Sequence, residues 1–464
     1  MELKRKAYDK LCEWKKRSNG STAILVEGAR RIGKSTVVEK FAKENYKSYI
    51  LIDFSKVSSN IKNSFEENLI NLDKFFQILS LEYQTILYKR ESVIIFDEVQ
   101  LFPKARQAIK HLVHDGRYDF IETGSLISLK ENVEDILIPS EEEKLKMYPL
   151  DFEEFLWATN NETLSEYIKE CYMKEVALMD TFHKRALYAF NEYILVGGMP
   201  QSIVAYVSNG KDFFEADKQK KLILNLYKDD IKKSAAKYAS KVSVLFDNIP
   251  GFLSKHEKRI SLNSVDEGRS YSDYEEALFW LDDSMIANLC YKCTDPSISL
   301  SLNKDDSSVK CYMGDTGLLV SMILKSNKKD ALELYRKIIN NKVSFNRGML
   351  YENVIAQTFA SKGIDLYFYT SYNKETKKND IEIGFLVSDK QKVIPIEVKS
   401  SKNYTTSSYD KFKNKFGKRI GSSYIIHPKS FSKEGNNYKL PAYMAYCLFN
   451  NEWVDLNSTL DCII

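Results

Sequence analysis

The feature that most restricts how this chain can fold is an eight-residue loop near its start. Residues 28–35 fit the pattern G-x-x-x-x-G-K-[ST], and they read Gly28-Ala29-Arg30-Arg31-Ile32-Gly33-Lys34-Ser35. An apolar stretch at 23–26 leads into the loop, and a helix-forming stretch at 35–41 leads out of it. This strand–loop–helix order is the context in which such a loop binds phosphate, so we expect a parallel α/β sheet around it.

Each part of the loop has a chemical reason. Glycines allow backbone N–H groups to wrap a phosphate, and Lys34 neutralises the charge of the outer phosphates. The Ser35 hydroxyl is a ligand for Mg²⁺, and the positive end of the following helix faces the anion. We therefore predict that residues 28–36, including Thr36, bind ATP together with Mg²⁺.

A second element lies about 60 residues further on, where the apolar run 93–96 ends in Asp97 and Glu98. We expect Asp97 to hold Mg²⁺ through water and Glu98 to polarise the attacking water as the catalytic base. The next strand ends in Thr123, our first choice for a hydroxyl that senses the terminal phosphate. Ser125 is the second choice, and it suits a helix N-cap equally well. The predicted catalytic residues are Lys34, Glu98 and Thr123.

The periodicity of apolar residues divides the chain into three regions. Residues 1–155 alternate strands at 22–26, 49–54, 93–96 and 119–122 with helices, which predicts a P-loop NTPase parallel sheet. Residues 156–335 are mainly helical, and the order around 240–300 suits a winged helix, with 260–262 and 286–291 as strands and 272–283 as its second helix. Residues 336–464 return to mixed α/β, with strands at 367–370, 381–387, 393–398 and 423–426.

Composition limits the setting rather than the activity. The formal net charge of +4 is too small to imply a nucleic-acid or membrane partner by itself. No stretch approaches the roughly 20 apolar residues that cross a bilayer, and the basic N-terminus lacks an apolar core. We therefore expect a cytoplasmic protein without membrane contact.

Several of these motifs occur together in a known family. GARRIGKST at 28–36, FDEVQ at 96–100, ETGS at 122–125, YPLDFEEF at 148–155 and YILVGGMP at 193–200 stand in this order, before Tyr351-Glu352-Asn353 and Glu397-Val398-Lys399. This pattern resembles the archaeal-type predicted ATPases, an AAA+-like family. The resemblance implies an N-terminal ATPase domain and a C-terminal domain similar to restriction endonucleases.

The resemblance also implies a second candidate site. In the restriction-endonuclease-like fold, a carboxylate on one strand and E-x-K on the next bind a divalent metal. Glu397 and Lys399 supply E-x-K on one strand face, and Glu352 and Glu382 are further candidate ligands. The family's usual aspartate is replaced by Gly384, and Glu382 is displaced from it by two residues. We favour a degenerate site, while an active nuclease or a structural Glu397–Lys399 ion pair remain alternatives.

Partner surfaces are less clear. Residues 411–419 contain five basic side chains and could contact DNA or form a solvated surface: Lys411, Lys413, Lys415, Lys418 and Arg419. The stretch 272–283 has five carboxylates and no basic residue, so it favours packing or protein contact over DNA reading. No arginine finger is evident, and Arg106, Arg117, Lys144 and Lys146 are candidates. Self-association stays open.

Three functions remain in competition. The first is ATP hydrolysis that drives a conformational switch coupled to the C-terminal domain, which contacts DNA or a protein. The second is an ATP-regulated DNA nuclease of genome defence or mobile elements. The third is a nucleotide-binding scaffold with little turnover, which Asp97 and Glu98 disfavour because a pure binder needs no catalytic base.

Overall fold

The computed structural model describes most of the 464 residues. The described residues are 1–125, 139–255, 257–260, 271–297, 299–324, 335, 338–339, 347–373, 375, 378–389 and 392–449. They separate into two compact units. One comprises 2–148 with 283–285, and the other comprises residue 1 and the described residues of 149–282 and 286–464.

The N-terminal unit, residues 2–148, is built on a five-stranded sheet. Its strands are β1 Ala23–Glu27, β2 Ser48–Asp53, β3 Ser92–Asp97, β4 Asp119–Gly124 and β5 Glu142–Lys146. Their order is β2-β3-β4-β1-β5 and every pairing is parallel, which confirms the predicted parallel α/β sheet. The helices are α1 Lys6–Ser18, α2 Lys34–Asn45, α3 Ser59–Glu67, α4 Leu72–Glu82 and α5 Pro103–Asp115.

Burial explains why these strands are so apolar. All residues of β1, β3 and β4 are buried, as expected for the middle of a sheet with helices on both faces. One large apolar cluster includes residues from β2, β3 and β4 and from helices α3, α4 and α5. The central strands β3, β4 and β1 are neighbours, so their carboxyl ends lie at the same edge of the sheet.

The second unit begins with helices. In chain order they are α6 Phe152–Ala158, α7 Glu162–Met173, α8 Asp180–Val196, α9 Pro200–Ser208, α10 Phe213–Ser234, α11 Ala239–Ser254, α12 Glu275–Asp283 and α13 Thr316–Ile323. Asp151 caps α6 with a reciprocal capping box, its side chain accepting from the backbone of Glu154 while the Glu154 side chain accepts from Asp151. This pairing explains why helix α6 starts at Phe152.

The same unit contains a mixed eight-stranded sheet. The strands are β6 Ala287–Cys293, β7 Lys304–Met313, β8 Leu366–Asn373, β9 Lys378–Asp389, β10 Lys392–Val398, β11 Ser423–His427, β12 Ser432–Glu434 and β13 Asn437–Pro441, in the order β12-β13-β11-β10-β9-β8-β6-β7. Strands β10 and β11 are parallel, while β9 runs antiparallel to β10. Helices α14 Arg347–Ala360 and α15 Ser407–Phe416 complete the described fold.

Part of the region predicted to form a winged helix has a different arrangement in the structure. The predicted helix 272–283 is a 3₁₀ turn at Tyr271–Asp273 followed by the shorter α12, and the predicted strand 260–262 extends outside the described residues. The predicted strand 286–291 is β6, which pairs with β7 and β8 of the eight-stranded sheet. The long strand β7 was not predicted, because its first five residues are polar. The winged-helix motif stays a prediction.

Two other predictions concern the domain boundaries and membrane-spanning helices. The three-domain division at 1–155, 156–335 and 336–464 stays a prediction. No helix among the described residues is both long and apolar enough to cross a bilayer.

Candidate functional site

Two glycines shape the loop between β1 and α2. Gly33 has φ of +90° and directly precedes α2, so the chain turns there through a conformation that glycine adopts without a steric penalty. A side chain at Gly28 would place its Cβ atom 2.3 Å from the carbonyl oxygen of Met147. The two glycines of the sequence pattern are therefore required by the local backbone, and the loop stays open for a ligand.

Lys34 is buried at the first position of α2. Its Nζ atom donates hydrogen bonds of 3.0 Å to the carbonyl oxygens of Gly28 and Ala29, both within the loop. Burial lowers the pKa of Lys34 to about 8, although the nearby carboxylates of Glu98 and Asp97 oppose this effect. The ammonium group is thus held inside the loop, where a phosphate would improve its solvation.

Ser35, Asp97 and Thr123 meet at the carboxyl edge of the sheet. The Ser35 hydroxyl donates to Oδ1 of Asp97 at 2.7 Å, and the Thr123 hydroxyl donates to the same oxygen. The backbone N–H of Glu98 donates to the Thr123 hydroxyl at 3.3 Å. The three side chains come from α2, β3 and β4, so the parallel strand order brings them together. Hydroxyl and carboxylate oxygens are ligands that suit Mg²⁺.

Glu98 follows β3 directly and has φ of +55°, an uncommon backbone conformation for a residue with a side chain. Its carboxylate accepts a hydrogen bond from the side-chain amide of Gln100. The sequence did not lead us to Gln100 as a partner of Glu98. The available signal was that Gln100 stands two residues after Glu98 in FDEVQ. The partly exposed Glu98 carboxylate is therefore oriented at least in part by the neutral amide of Gln100.

The candidate arginine fingers have other partners. Arg106 is 4% exposed, and its guanidinium donates two 2.7 Å hydrogen bonds to the carboxylate of Glu142. This bidentate pairing occupies the group that would contact a nucleotide. Arg117 pairs with Asp115 and Asp73. The side chains of Lys144 and Lys146 on β5 are exposed. The proposal of Arg106 as a finger is therefore wrong, since its charge is neutralised inside the protein.

A buried carboxylic acid lies beside this pair. Glu122, on β4, is fully buried, and its burial together with the neighbouring carboxylate of Glu142 raises its pKa well above the ordinary value. The positive charge of Arg106 opposes this effect. Burial and the neighbouring carboxylate thus favour the protonated form of Glu122, next to the Arg106–Glu142 ion pair.

The four candidate residues of the C-terminal site also come together. Lys399 donates to Oε1 of Glu397 at 2.7 Å, and the backbone N–H of Gly384 donates to Oε2 of Glu397 at 3.2 Å. Burial raises the pKa of Glu397, while Lys399 opposes the rise. Gly384 therefore lies on the neighbouring strand, beside Glu397, at the position where the family resemblance implies an aspartate.

Glu352 and Glu382 extend this cluster through two further lysines. Lys258 donates to Oε1 of Glu352, and the Tyr312 hydroxyl donates to Oε2 at 3.1 Å. The buried ammonium of Lys310 lies 3.9 Å from Glu352 and 3.8 Å from Glu382. Burial alone would raise the pKa of Glu352, but the charges of Lys258 and Lys310 leave it below the ordinary value.

The cluster thus contains three carboxylates and three lysines: Glu352, Glu382, Glu397, Lys258, Lys310 and Lys399. Among the described residues, no group of three or more His, Cys, Asp or Glu side chains is arranged to hold a metal ion. The sequence reasoning missed Lys258 and Lys310. Lys310 carried a signal, since a lysine followed by apolar residues in a strand indicates a buried charge that needs a partner.

The basic stretch 411–419 makes local contacts. Lys411 pairs with Asp380, and Arg419 lies 2.5 Å from Asp295. Lys413 donates to Asn437 at 2.9 Å and Lys415 donates to the Tyr369 hydroxyl at 3.1 Å. Phe412 and Phe416 pack against Tyr369. Two of the five charges are therefore neutralised, and DNA contact by this stretch stays a prediction.

Comparison with known proteins gives three regional matches. Residues 20–156 match the family model of an AAA domain. Residues 187–329 and 347–444 match models of two domains of unknown function, DUF8612 and DUF4143. No curated protein matches the chain.

Two solved structures show a remote likeness. One is the crystal structure of a DNA replication initiation factor, at 12% identity and a TM-score of 0.22, covering 76% of this chain and 95% of that chain. The other is AMPPCP-bound DnaA from Aquifex aeolicus, at 12% identity and a TM-score of 0.24, covering 74% of this chain and 96% of that chain. Both scores lie below the value expected for a shared overall arrangement.

The family match agrees with the geometry of the first site. The loop with Lys34 and Ser35, the acidic end of β3 and the parallel sheet all lie within the matched residues 20–156. The N-terminal part of this chain is a nucleotide-binding P-loop domain of the AAA+-like ATPases.

Proposed function

We propose that this protein hydrolyses ATP in a Mg²⁺-dependent reaction at the loop 28–36. One observation carries the proposal: Asp97 accepts hydrogen bonds from both Ser35 and Thr123, directly beside Glu98. A predicted magnesium ligand, a predicted phosphate sensor and a predicted base thus converge on one point. Such convergence supports a hydrolytic site over a passive binding site.

The roles follow from the chemistry of the side chains. Backbone N–H groups of residues 28–36 and the Lys34 ammonium hold the phosphates, and Thr123 positions the terminal one. Ser35 and Asp97 would hold Mg²⁺, which neutralises the phosphate charge when bound. Glu98 accepts the proton of the attacking water as it adds to phosphorus, and ADP leaves.

We propose that a change in the partners of Glu98 and Thr123 is the source of a conformational switch. The backbone of Glu98 contacts the Thr123 hydroxyl, so a ligand that engages Thr123 also perturbs the segment after β3. We propose that this switch acts on the middle and C-terminal regions, which contact a protein, a second copy or DNA. The proposed setting is the cytoplasm.

For the C-terminal region we propose a restriction-endonuclease-like domain with a degenerate site. Glu352, Glu382 and Glu397 retain the acidic character of a metal site, but Lys258 and Lys310 supply positive charge close to two of these carboxylates. Two unit charges 4 Å apart interact strongly in a low-dielectric interior, so the lysines compete with a divalent cation. The alternative, an ATP-regulated DNA nuclease, rests on the Glu397–Lys399 pair.

The ATPase proposal is tested by steady-state phosphate release from wild type and Glu98→Gln. We expect Glu98→Gln to reduce kcat by at least about 100-fold while nucleotide affinity stays within a few fold. Glu67→Gln is the matched control, because Glu67 is exposed and distant in sequence from the loop. Equal, near-zero rates for all three proteins would favour the nucleotide-binding scaffold instead.

The nuclease alternative has its own test. Supercoiled and linear DNA are incubated with the protein and Mn²⁺ or Mg²⁺, with and without ATP, beside Glu397→Ala. The degenerate site predicts no cleavage by either protein. Cleavage by wild type that is lost in Glu397→Ala would establish an active nuclease.

A further inference from the structure

A cavity of about 900 Å³ opens at the carboxyl ends of two parallel strands of the eight-stranded sheet. Residues 400–402 begin two positions after the end of β10, and residues 428–430 follow β11 directly. Helix α8 and the start of α14 provide the other walls. Crevices outside the carboxyl ends of parallel strands are frequent ligand sites in α/β sheets.

Most of the charged side chains that line the cavity are cationic. Lys184, Arg347, Lys402 and Lys429 line the cavity, against one carboxylate, Asp180. Lys184 and Asp180 pair with each other at 2.7 Å. Within the part of the chain that the structure describes, the other three cations form no ion pair with a carboxylate. Among the described residues, Arg347, Lys402 and Lys429 thus present positive charge to the cavity without a carboxylate in an ion pair.

Arg347 is held in place by neutral groups. Its Nη2 atom donates to the Tyr351 hydroxyl at 2.9 Å and to Oδ1 of Asn191 at 3.3 Å. The guanidinium lies 5.0 Å from the centre of the Tyr351 ring. Its buried Nε atom has no hydrogen-bond partner among the described residues. A guanidinium oriented in this way at the cavity wall is suited to a phosphate or a carboxylate.

Hydroxyl groups and an aromatic ring favour a phosphate ester among these anions. Ser400, Ser401 and Ser430 line the same cavity, and their hydroxyls can donate to phosphate oxygens. Tyr188 also lines it and is 49% exposed, which leaves its ring available for a base to stack on. The volume suits a ligand of nucleotide size.

The buried side chain of His183 helps to position the segment that follows β11. His183, on α8, contacts the Tyr443 hydroxyl through Nδ1 at 2.9 Å and hydrogen-bonds the backbone at Pro428. Burial lowers the pKa of His183, and Lys402 and Lys184 act in the same direction, while Asp180 opposes them. The segment 428–430 is thus supported by a histidine that is neutral at physiological pH.

We propose that this cavity binds the phosphate ester of a nucleotide unit, either a free nucleotide or one residue of a nucleic-acid strand. Arg347, Lys402 and Lys429 hold the phosphate, the serine hydroxyls complete its hydrogen bonds, and the base lies against Tyr188. The lining of this site shares no residue with the loop 28–36, the Glu397 cluster or the basic stretch 411–419. It does not depend on ATP hydrolysis.

The test uses the full chain with Lys34→Ala, which removes the phosphate contact of the P-loop. Two probes are titrated at about 25 mM salt: a fluorescein-labelled single-stranded 12-mer DNA and the fluorescent nucleotide mant-AMP. We expect at least one probe to bind, and Lys402→Gln/Lys429→Gln to weaken it at least about tenfold. For the 12-mer, the slope of log K against log salt should decrease by about 1.4, since each phosphate contact contributes about 0.7.

The matched control is Lys232→Gln/Lys233→Gln, which removes two exposed charges from the end of α10. Weakening of the 12-mer assigns the site to nucleic acid, and weakening of mant-AMP alone assigns it to a free nucleotide. The proposal is overturned if neither probe binds, if the lysine pair has no effect, or if the control weakens binding equally. Because Lys402 and Lys429 are exposed, melting temperatures of the variants should match the parent within a few degrees.

Discussion

Oγ of Ser35 lies 2.7 Å from Oδ1 of Asp97, although 62 residues separate them in the chain. The hydroxyl lies in the first turn of helix α2 and the carboxylate ends strand β3. Their contact couples the loop to the acidic edge of the sheet. Substitutions that keep the shape of this pair but remove its charge can therefore separate metal binding from folding.

Asp97→Asn should weaken MgATP binding by about 10–100-fold, as expected when a residue that holds a metal through water is neutralised. The asparagine oxygen can still accept from Ser35 and Thr123, so the melting temperature should change little. Isothermal titration with and without Mg²⁺ measures the effect. If the Mg²⁺-dependent gain in affinity survives in Asp97→Asn, Asp97 is not part of the magnesium site.

ATP binding should take up protons near pH 8. Burial places the pKa of Lys34 at about 8, so roughly half of the lysine is neutral there, and bound phosphates favour its charged form. We expect uptake of about half a proton at pH 8 and almost none at pH 6.5. Affinity should fall by up to about tenfold per pH unit above pH 8.

Calorimetry in two buffers of different ionisation enthalpy measures this uptake. The observed binding enthalpies should differ between buffers at pH 8 and agree at pH 6.5. Agreement at both pH values would contradict the assigned role of Lys34.

Glu122→Gln should stabilise the protein increasingly as pH rises. The folded state raises the pKa of Glu122, so it binds more protons than the unfolded chain above pH 4.5. Wild-type stability therefore falls with pH up to the raised pKa, by at most about 1.4 kcal/mol per unit from this group. Glutamine has no proton to lose and escapes this penalty.

Urea unfolding of wild type and Glu122→Gln at pH 5, 6, 7 and 8 tests this expectation. The stability difference should grow with pH, while the exposed control Glu67→Gln should show none. A difference that stays constant from pH 5 to pH 8 would mean that Glu122 does not hold a proton.

Gly384→Asp should create a binding site for Mn²⁺. A Cβ atom at Gly384 would lie 3.4 Å from the carbonyl oxygen of Ile396, an ordinary contact, and Glu397 already reaches the Gly384 N–H. The added carboxylate is therefore expected beside Glu397. Mn²⁺ should raise the melting temperature of Gly384→Asp but leave wild type and the neutral control Gly384→Asn unchanged. An equal Mn²⁺ response in wild type would show an intact metal site.

Lys258→Met should destabilise the second unit by about 3 kcal/mol or more, because Glu352 would lose its directly bound cation while remaining buried. Adding Glu352→Gln removes the buried carboxylate charge that has lost its closest cation, so the double variant should recover at least about 1 kcal/mol. Denaturant unfolding of the four proteins in the cycle gives the coupling. Additive effects would show that the Lys258–Glu352 ion pair makes no net contribution.

Local sequence was sufficient for the first site. The phosphate loop is a contiguous segment, and the apolar run before Asp97 and Glu98 defines both a buried strand and the acidic end of that strand. Parallel pairing then places such strand ends at one edge, which is why Thr123 could be predicted beside them. The sequence did not predict the contact between Gln100 and Glu98, because the turn after β3 depends on an unusual φ at Glu98.

The C-terminal site depended on tertiary structure. The family resemblance, together with strand parity and the E-x-K spacing, indicated Glu352, Glu382, Glu397 and Lys399 as candidates. It did not indicate that Lys258, which follows α11, and Lys310, on β7, would lie against those carboxylates. Contacts between residues distant in sequence follow from strand order and sheet register, and strand β7 itself carried little apolar signal. The sequence thus determined the nucleotide loop and its acidic partner, while the fold decided which charges the second cluster would neutralise.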